Sequence, residues 1–296
     1  NKGYANRVLA LSVDEKYLVN GSDSSNVEIF NLEFPEKVPR RVKGHLAAIS
    51  DIKFLPDNSG FISVSSDRTM RLTNHLTGQS KKVLNLPYEL KSIDISPDGN
   101  SVIGASTAGS LLLISTVDYT FKEILKESSS RFLSVAFNPA RPNTIALGSE
   151  IFGEGKTISK GLVRIIDLNT LKIKELTGHK AGVIDLEFSP DGKLLASAGL
   201  DRRLQMWVVD HEEDLPIVMD NNNGNVWHVA FANDSKFLIA SCNEGEIRVY
   251  PTDTRLMADK VCPNLNRNMT VEEWRIYVGS DIKYESTCKS LLIKDF

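Results

Sequence analysis

Only three cysteines stand in 296 residues, too few and too scattered for a disulfide framework or a four-ligand metal site. No run of 18 apolar residues exists, which excludes a membrane-spanning helix. Residues Asn1 to Asn6 lack the charged start and apolar stretch of a signal peptide. Neither sign of charge dominates. A formal net charge of −3 gives no general attraction to nucleic acid or anionic lipid. What is present, 41% hydrophobic and 25% charged residues, is ordinary for a globular protein and enough for a large core in one domain. Because the chain opens on Asn rather than Met, it is expected to be a piece of something longer.

The dominant feature is a repeat. Leu11, Phe54, Ile95, Phe137, Phe188 and Phe231 each close a short apolar run, at spacings of 43, 41, 42, 51 and 43. Most copies continue into a Ser-Pro-Asp-Gly-like turn, as in Ser96-Pro97-Asp98-Gly99 and Ser189-Pro190-Asp191-Gly192. Pro fixes φ at the second turn position and Asp or Gly suits those after it, so each copy reads strand, tight turn, strand. A third apolar run follows in each: Val27–Phe30, Met70–Leu72, Leu111–Ile114, Leu162–Ile166, Leu204–Trp207 and Ile247–Tyr250. A unit this small cannot bury its apolar face alone and must stack on its neighbours. Three or four antiparallel strands per unit predict an all-β propeller with one blade per repeat.

Two copies carry Gly-His with an Asp 22 residues after the His: Gly44-His45 with Asp67, and Gly178-His179 with Asp201. Ser63 and Ser197 stand four residues before each Asp, and Trp207 stands six after Asp201. Over residues 5–250 the sequence resembles the WD-repeat family. That resemblance implies a blade closed by His179, Ser197, Asp201 and Trp207 hydrogen-bonded in series, and a second by His45, Ser63 and Asp67 with Thr73 in place of Trp. The other blades offer Phe30, Ile114, Ile166 and Tyr250 at the Trp position. A Ser-His-Asp set also invites a nucleophilic triad, but that needs an open cleft with oxyanion donors. The same set repeated at one spacing favours a structural device. Six or seven blades both fit, and the residues before Leu11 are expected to supply a strand to ring closure.

Three stretches fall outside the period. The interval from Phe137 to Phe188 is about nine residues longer than the others, with the excess near Ser149–Gly161. Gly155-Lys156-Thr157 there lacks the preceding Gly and following helix of a phosphate-binding loop, so a protruding hairpin is expected. Asp210-His211-Glu212-Glu213-Asp214 reads as a solvated acidic turn and Pro39–Lys43 as a small basic counterpart. Asp51, Ser92, Ser134, Asp185 and His228, three before their anchors, should line a central channel and serve water and inter-blade hydrogen bonds. No metal and no cofactor is expected.

After Tyr250 the period stops, which divides the chain into a propeller, 1–251, and a C-terminal extension, 252–296. Thr270-Val271-Glu272-Glu273 is a capping box flanked by Met269 and Trp274, predicting a helix over 271–278 that packs on a propeller face through Trp274 and Tyr277. Cys262 and Cys288 bracket this segment and could meet, although a reducing cytosol would leave them as thiols. Cys242 reads as a small buried residue. Asn268-Met269-Thr270 and Asn233-Asp234-Ser235 are glycosylation triplets. The tail is similar to the ending of many bacterial WD-repeat proteins through Cys262, Arg267, Asn268, Thr270, Glu273, Trp274, Tyr284, Thr287 and Cys288. That resemblance implies a signalling NTPase of the STAND type or a caspase-like domain upstream.

The expected function is therefore a non-enzymatic, cytoplasmic and monomeric scaffold or sensor propeller, forming the C-terminal domain of a larger bacterial signalling protein. A protein partner would dock on the face bearing the turns before each inner strand, at Lys180, Glu89, Arg131, Asn223 and Leu200. The alternative is an enzyme or a ligand- or metal-binding propeller using its channel, for which Asp51, Asp185 and His228 are the groups able to ligate. A secreted propeller is a third class and predicts a Cys262–Cys288 disulfide.

Overall fold

The computed structural model describes residues 6–153, 157–210, 215–220, 222–277, 283–286, 288–289 and 291. Its strands form six antiparallel sheets, each built from consecutive strands. The first strands, Asn6–Leu11, Ile49–Phe54, Leu90–Ile95, Ser130–Asn138, Val183–Phe188 and Val226–Phe231, touch one another in succession and so form the inner wall. We number the blades I to VI in chain order. Among the described residues, blades I to V have four strands and blade VI has three.

Local chemistry accounts for the shape of each blade. In Val183–Phe188 the apolar Val183, Leu186 and Phe188 are buried, while Asp185 and Glu187 are half-buried on the other side. The pairing register slips just before Asp51, Ser134, Asp185 and His228, and again before Val8. With the same slip before Ser92 in blade III, all six inner strands carry a bulge at one position, which lets one more apolar side chain join the buried face and re-aims the residue that follows. In five blades the turn after the inner strand ends in a left-handed residue, which is Gly99 at φ 73° in blade III and Gly192 at φ 70° in blade V. Glu15, Asn58 and Ser235 hold the same conformation at that position without being glycine.

Five apolar clusters fill five junctions, I/II, II/III, III/IV, IV/V and V/VI. None joins VI to I among the described residues. The faces that would meet there are the ones buried elsewhere. Leu9 and Leu11 of blade I are 60% and 48% exposed, whereas Val229 and Phe231, their counterparts in blade VI, are buried. Ile247 and Val249 are 70% and 53% exposed, whereas Leu204 and Met206 of blade V are buried. Of the residues expected to close the ring, Asn6–Leu11 pairs instead with Tyr17–Ser22 as the inner strand of its own blade, and among the described residues the sheet of blade VI contains no strand from the N-terminus; residues 1–5 lie outside the described residues.

The insertion in blade IV is an extension of the hairpin Arg141–Phe152 and Ile158–Asp167, closed by the Gly153 amide donating to the Thr157 carbonyl at 2.9 Å. Gly155 and Lys156 lie outside the described residues, as do His211, Glu212, Glu213 and Asp214. Past blade VI the chain forms two helices, α1 (Thr254–Val261) and α2 (Val271–Tyr277). Asp253 caps α1 by accepting from the Arg255 and Leu256 amides, and Met257 packs against the V/VI cluster. Trp274, expected to face the propeller, stacks edge-on against Tyr284 of the tail at 5.4 Å between ring centroids. The Tyr277 side chain and Thr287 lie outside the described residues.

Candidate functional site

The His, Ser and Asp side chains meet inside single blades. In blade V, His179 Nδ1 lies 3.0 Å from Asp201 Oδ1, and Nε2 lies 2.9 Å from Ser197 Oγ. Trp207 Nε1–H donates to the same Ser197 oxygen at 3.0 Å. With the imidazole proton on Nδ1 donated to Asp201, the Ser197 hydroxyl donates to Nε2, and a chain runs from indole to carboxylate. Asp201 also accepts from the Lys180 and Arg203 amides, pinning both loops of the blade. A methyl group at Gly199 would collide with His179 and Asp201, so glycine permits the close approach. His179, Ser197 and Trp207 are all buried.

Blade II repeats this without the indole. His45 Nε2 is 2.9 Å from Ser63 Oγ, and Nδ1 is 3.2 Å from Asp67 and 3.0 Å from Thr69 Oγ1. Thr73, at the Trp position, turns instead to the Ser80 hydroxyl at 3.0 Å. Burial pushes the His45 imidazole below its ordinary value despite the pull of Asp67. Burial opposes charge on Asp67, but the Thr69 hydroxyl and Leu46 amide outweigh it and hold the carboxyl below the usual range. Asp201 lies below that range in the same way, burial being outweighed by His179 and the loop amides. In blade V the carboxylate is taken up by backbone amides and the serine oxygen is shared between two buried rings.

The channel side chains are latches between blades. Asp51 accepts from the Ile93 amide at 2.8 Å, Ser92 from Val135 at 3.3 Å and Asp185 from Val229 at 2.9 Å. Asp94 and Glu187, one residue before their anchors, accept from the Phe137 and Phe231 amides at 2.7 and 3.4 Å. Ser134 donates to the Val183 carbonyl. His228 stands 3.5 Å from Asp185, which raises its pKa above the ordinary value. Lys53 lies 3.9 Å from Asp94. Burial disfavours its charge, yet Asp94, Asp51, Asp185 and Glu187 outweigh that and raise its pKa. Burial first, and Asp185 second, push Glu187 up to about 7. Among the described residues, no three of His, Cys, Asp and Glu are grouped to hold a metal ion.

The loops preceding the inner strands share one face of the disc with the turns between second and third strands. Lys180, Glu89, Arg131 and Asn223 are exposed there and Leu200 is half-buried. Glu89 accepts from the Ser66 hydroxyl at 2.5 Å. Arg131 is less available, since it lies 3.6 Å from the buried Glu150 and over the Phe152 ring. Sequence reasoning missed Leu46, which is 90% exposed on this face. It follows His45 just as Lys180 follows His179, and that register was the signal.

In the tail, Cys262 and Cys288 are joined by a disulfide, unlike the thiols expected of a reducing cytosol. Asn268 is buried and its amide bonds to the Cys288 amide and to the Cys288 and Leu291 carbonyls, so this glycosylation triplet has no free acceptor nitrogen. The Thr270 amide donates to Glu273, and the Glu273 amide donates to Thr270 Oγ1 at 3.2 Å. Arg267 pairs with Glu273 through both terminal nitrogens and holds its carboxyl down to about 2.

A family model described as WD domain, G-beta repeat, matches residues 36–74, 171–208 and 216–250, which include blade II's His45-Ser63-Asp67 set. The fold is a WD-repeat β-propeller. This propeller is 27% identical over 197 residues to the serine-threonine kinase receptor-associated protein of Mus musculus, covering 66% of this chain and 52% of that protein. It is 22% identical over 241 residues to transcription initiation factor TFIID subunit 5 of Caenorhabditis elegans, covering 81% and 36%. It is 27% identical over 246 residues to apoptotic protease-activating factor 1 of Rattus norvegicus, covering 80% and 18%. The chain thus spans about half the length of the first relative and less of the others. No helix among the described residues is long and apolar enough to cross a membrane.

Proposed function

We propose that the chain is a non-enzymatic scaffold or sensor propeller that binds a protein partner through its loop face, acting as a monomer. The observation that carries this reading is the division of labour just described. The groups able to do chemistry are consumed inside blades or between them, while Leu46, Glu89, Lys180 and Asn223 stand exposed on one rigid face. Loops held on a rigid scaffold are common interaction sites. Relatives named as receptor-associated and protease-activating proteins support a regulatory setting. The tail of 252–296, through its resemblance, supports a bacterial signalling protein with further domains, although the relatives matched are eukaryotic. The test is quantitative partner capture by wild type and by Leu46→Asp/Glu89→Lys/Lys180→Glu/Asn223→Lys. Arg131 is left in place because its reversal would unpair the buried Glu150. Loss of the captured protein with unchanged circular dichroism is expected; undiminished capture overturns the loop-face reading.

The disulfide favours a second setting, an oxidising compartment in place of the cytoplasm. Alkylation of protein taken from its native compartment separates the two: one free thiol supports oxidation, three support the cytoplasm.

A further inference from the structure

On the face opposite the loop face, the II/III junction ends in a cavity of about 260 Å³. Its floor is Leu55, Ile62, Leu72 and Tyr119, the lower end of the apolar cluster between those blades. Its mouth carries Asp57 and Asp98, both exposed, and Thr116. Two other junctions, I/II and IV/V, are tied at this level by hydrogen bonds between neighbouring turns. Asn138 donates to the Gly192 carbonyl at 2.9 Å, and the Val13 amide donates to Asn58 at 3.2 Å. At II/III the facing residues are Pro56, which has no N–H, and Gly99, where even an added methyl would only reach van der Waals contact with Pro56. The turns therefore stand apart and the core end stays open.

We infer that this cavity seats a lysine or arginine side chain of a partner protein, methylenes on the apolar floor and cation between Asp57 and Asp98. The lining holds two carboxylates and no Lys, Arg or His. Asp57 accepts from the Ser59 hydroxyl and amide at 2.7 and 2.9 Å, and Asp98 from the Ser96 hydroxyl and Asn100 amide at 2.5 and 3.1 Å. These bonds hold both carboxyls below the usual range, so both are ionised at neutral pH. An anionic guest is repelled, and an apolar one would strip water from the two charges without replacing it. The volume is below the roughly 300–1,000 Å³ of small-molecule sites and suits one long side chain. Lys and Arg alone pair an apolar stem with a cationic end.

This extends the scaffold reading to a second face and is tested without the partner, so failure of loop-face capture does not bear on it. The protein, uniformly labelled with nitrogen-15, is titrated with N-acetyl-lysine-methylamide and N-acetyl-arginine-methylamide, with the norleucine and glutamate analogues as controls. Saturable shifts at the Gly99, Asn100 and Tyr119 amides are expected with the two cations only. Asp57→Asn/Asp98→Asn keeps the oxygen that accepts the backbone amide in each turn and gives up only the Asn100 side-chain bond to Asp98 Oδ2 at 2.9 Å, so it should fold and weaken binding by about five-fold. Asn100→Lys, which puts a cation in the mouth, should abolish the shifts. Equal response to norleucine, no response to either cation, or a double variant that binds as wild type overturns the inference.

Discussion

At the scale of single residues, position in the blade decides which charges stabilise the molecule. Glu187 and His45 act in opposite directions. The Glu187 carboxyl is pushed up to about 7 by burial and by Asp185, above the ordinary carboxylate value it has when unfolded. The folded state thus holds a proton that the unfolded state has lost, and this contribution falls away as pH rises through 7. His45 is shifted down, so the unfolded chain holds more protons below pH 6.5, and stability falls as pH drops through that value. Glu187→Gln keeps the acceptor for the Phe231 amide and cannot ionise. Relative to wild type it should gain about 1 kcal/mol, or roughly 2–4 °C in Tm, between pH 5 and pH 8. A Tm difference constant across that range would show that Glu187 does not titrate between the blades.

At the scale of elements, each sheet is stabilised by the neighbour it faces, and the exposed VI/I faces make this measurable. Leu204 and Ile247 occupy equivalent positions, one buried at V/VI and the other 70% exposed. Leu204→Ala should cost about 3 kcal/mol in urea unfolding, and Ile247→Ala less than about 1. Comparable losses would mean that blade VI buries its outer face in solution. The six anchors and six third runs were legible in sequence because half-buried strands alternate with period two. Most outer strands were not, since Arg40–Val42 and Ser80–Asn85 are largely polar and pair on one edge only. Helix α1 was missed although Asp253 is a good N-cap, because the apolar period had already lapsed. The polar residues three before five of the six anchors were visible as a channel row, but Asp94 and Glu187, which make the same inter-blade bond two steps along, drew no notice. Nothing local announces that a carboxylate will face the amide of a strand some 43 residues away.

At the scale of the whole molecule, the blades form a nearest-neighbour array, so a loss inside one blade lowers the stability of the assembly. The central claim is that the Ser-His-Asp sets hold blades together. Ser197 decides it, since its hydroxyl is shared between the buried His179 and Trp207 rings. Removing it orphans two buried polar groups, a loss of about 2 kcal/mol or more. The direct measurement is equilibrium urea unfolding of Ser197→Ala beside wild type. The account predicts a lower midpoint at unchanged m-value; unchanged stability would contradict it and return Ser197 to the list of candidate nucleophiles.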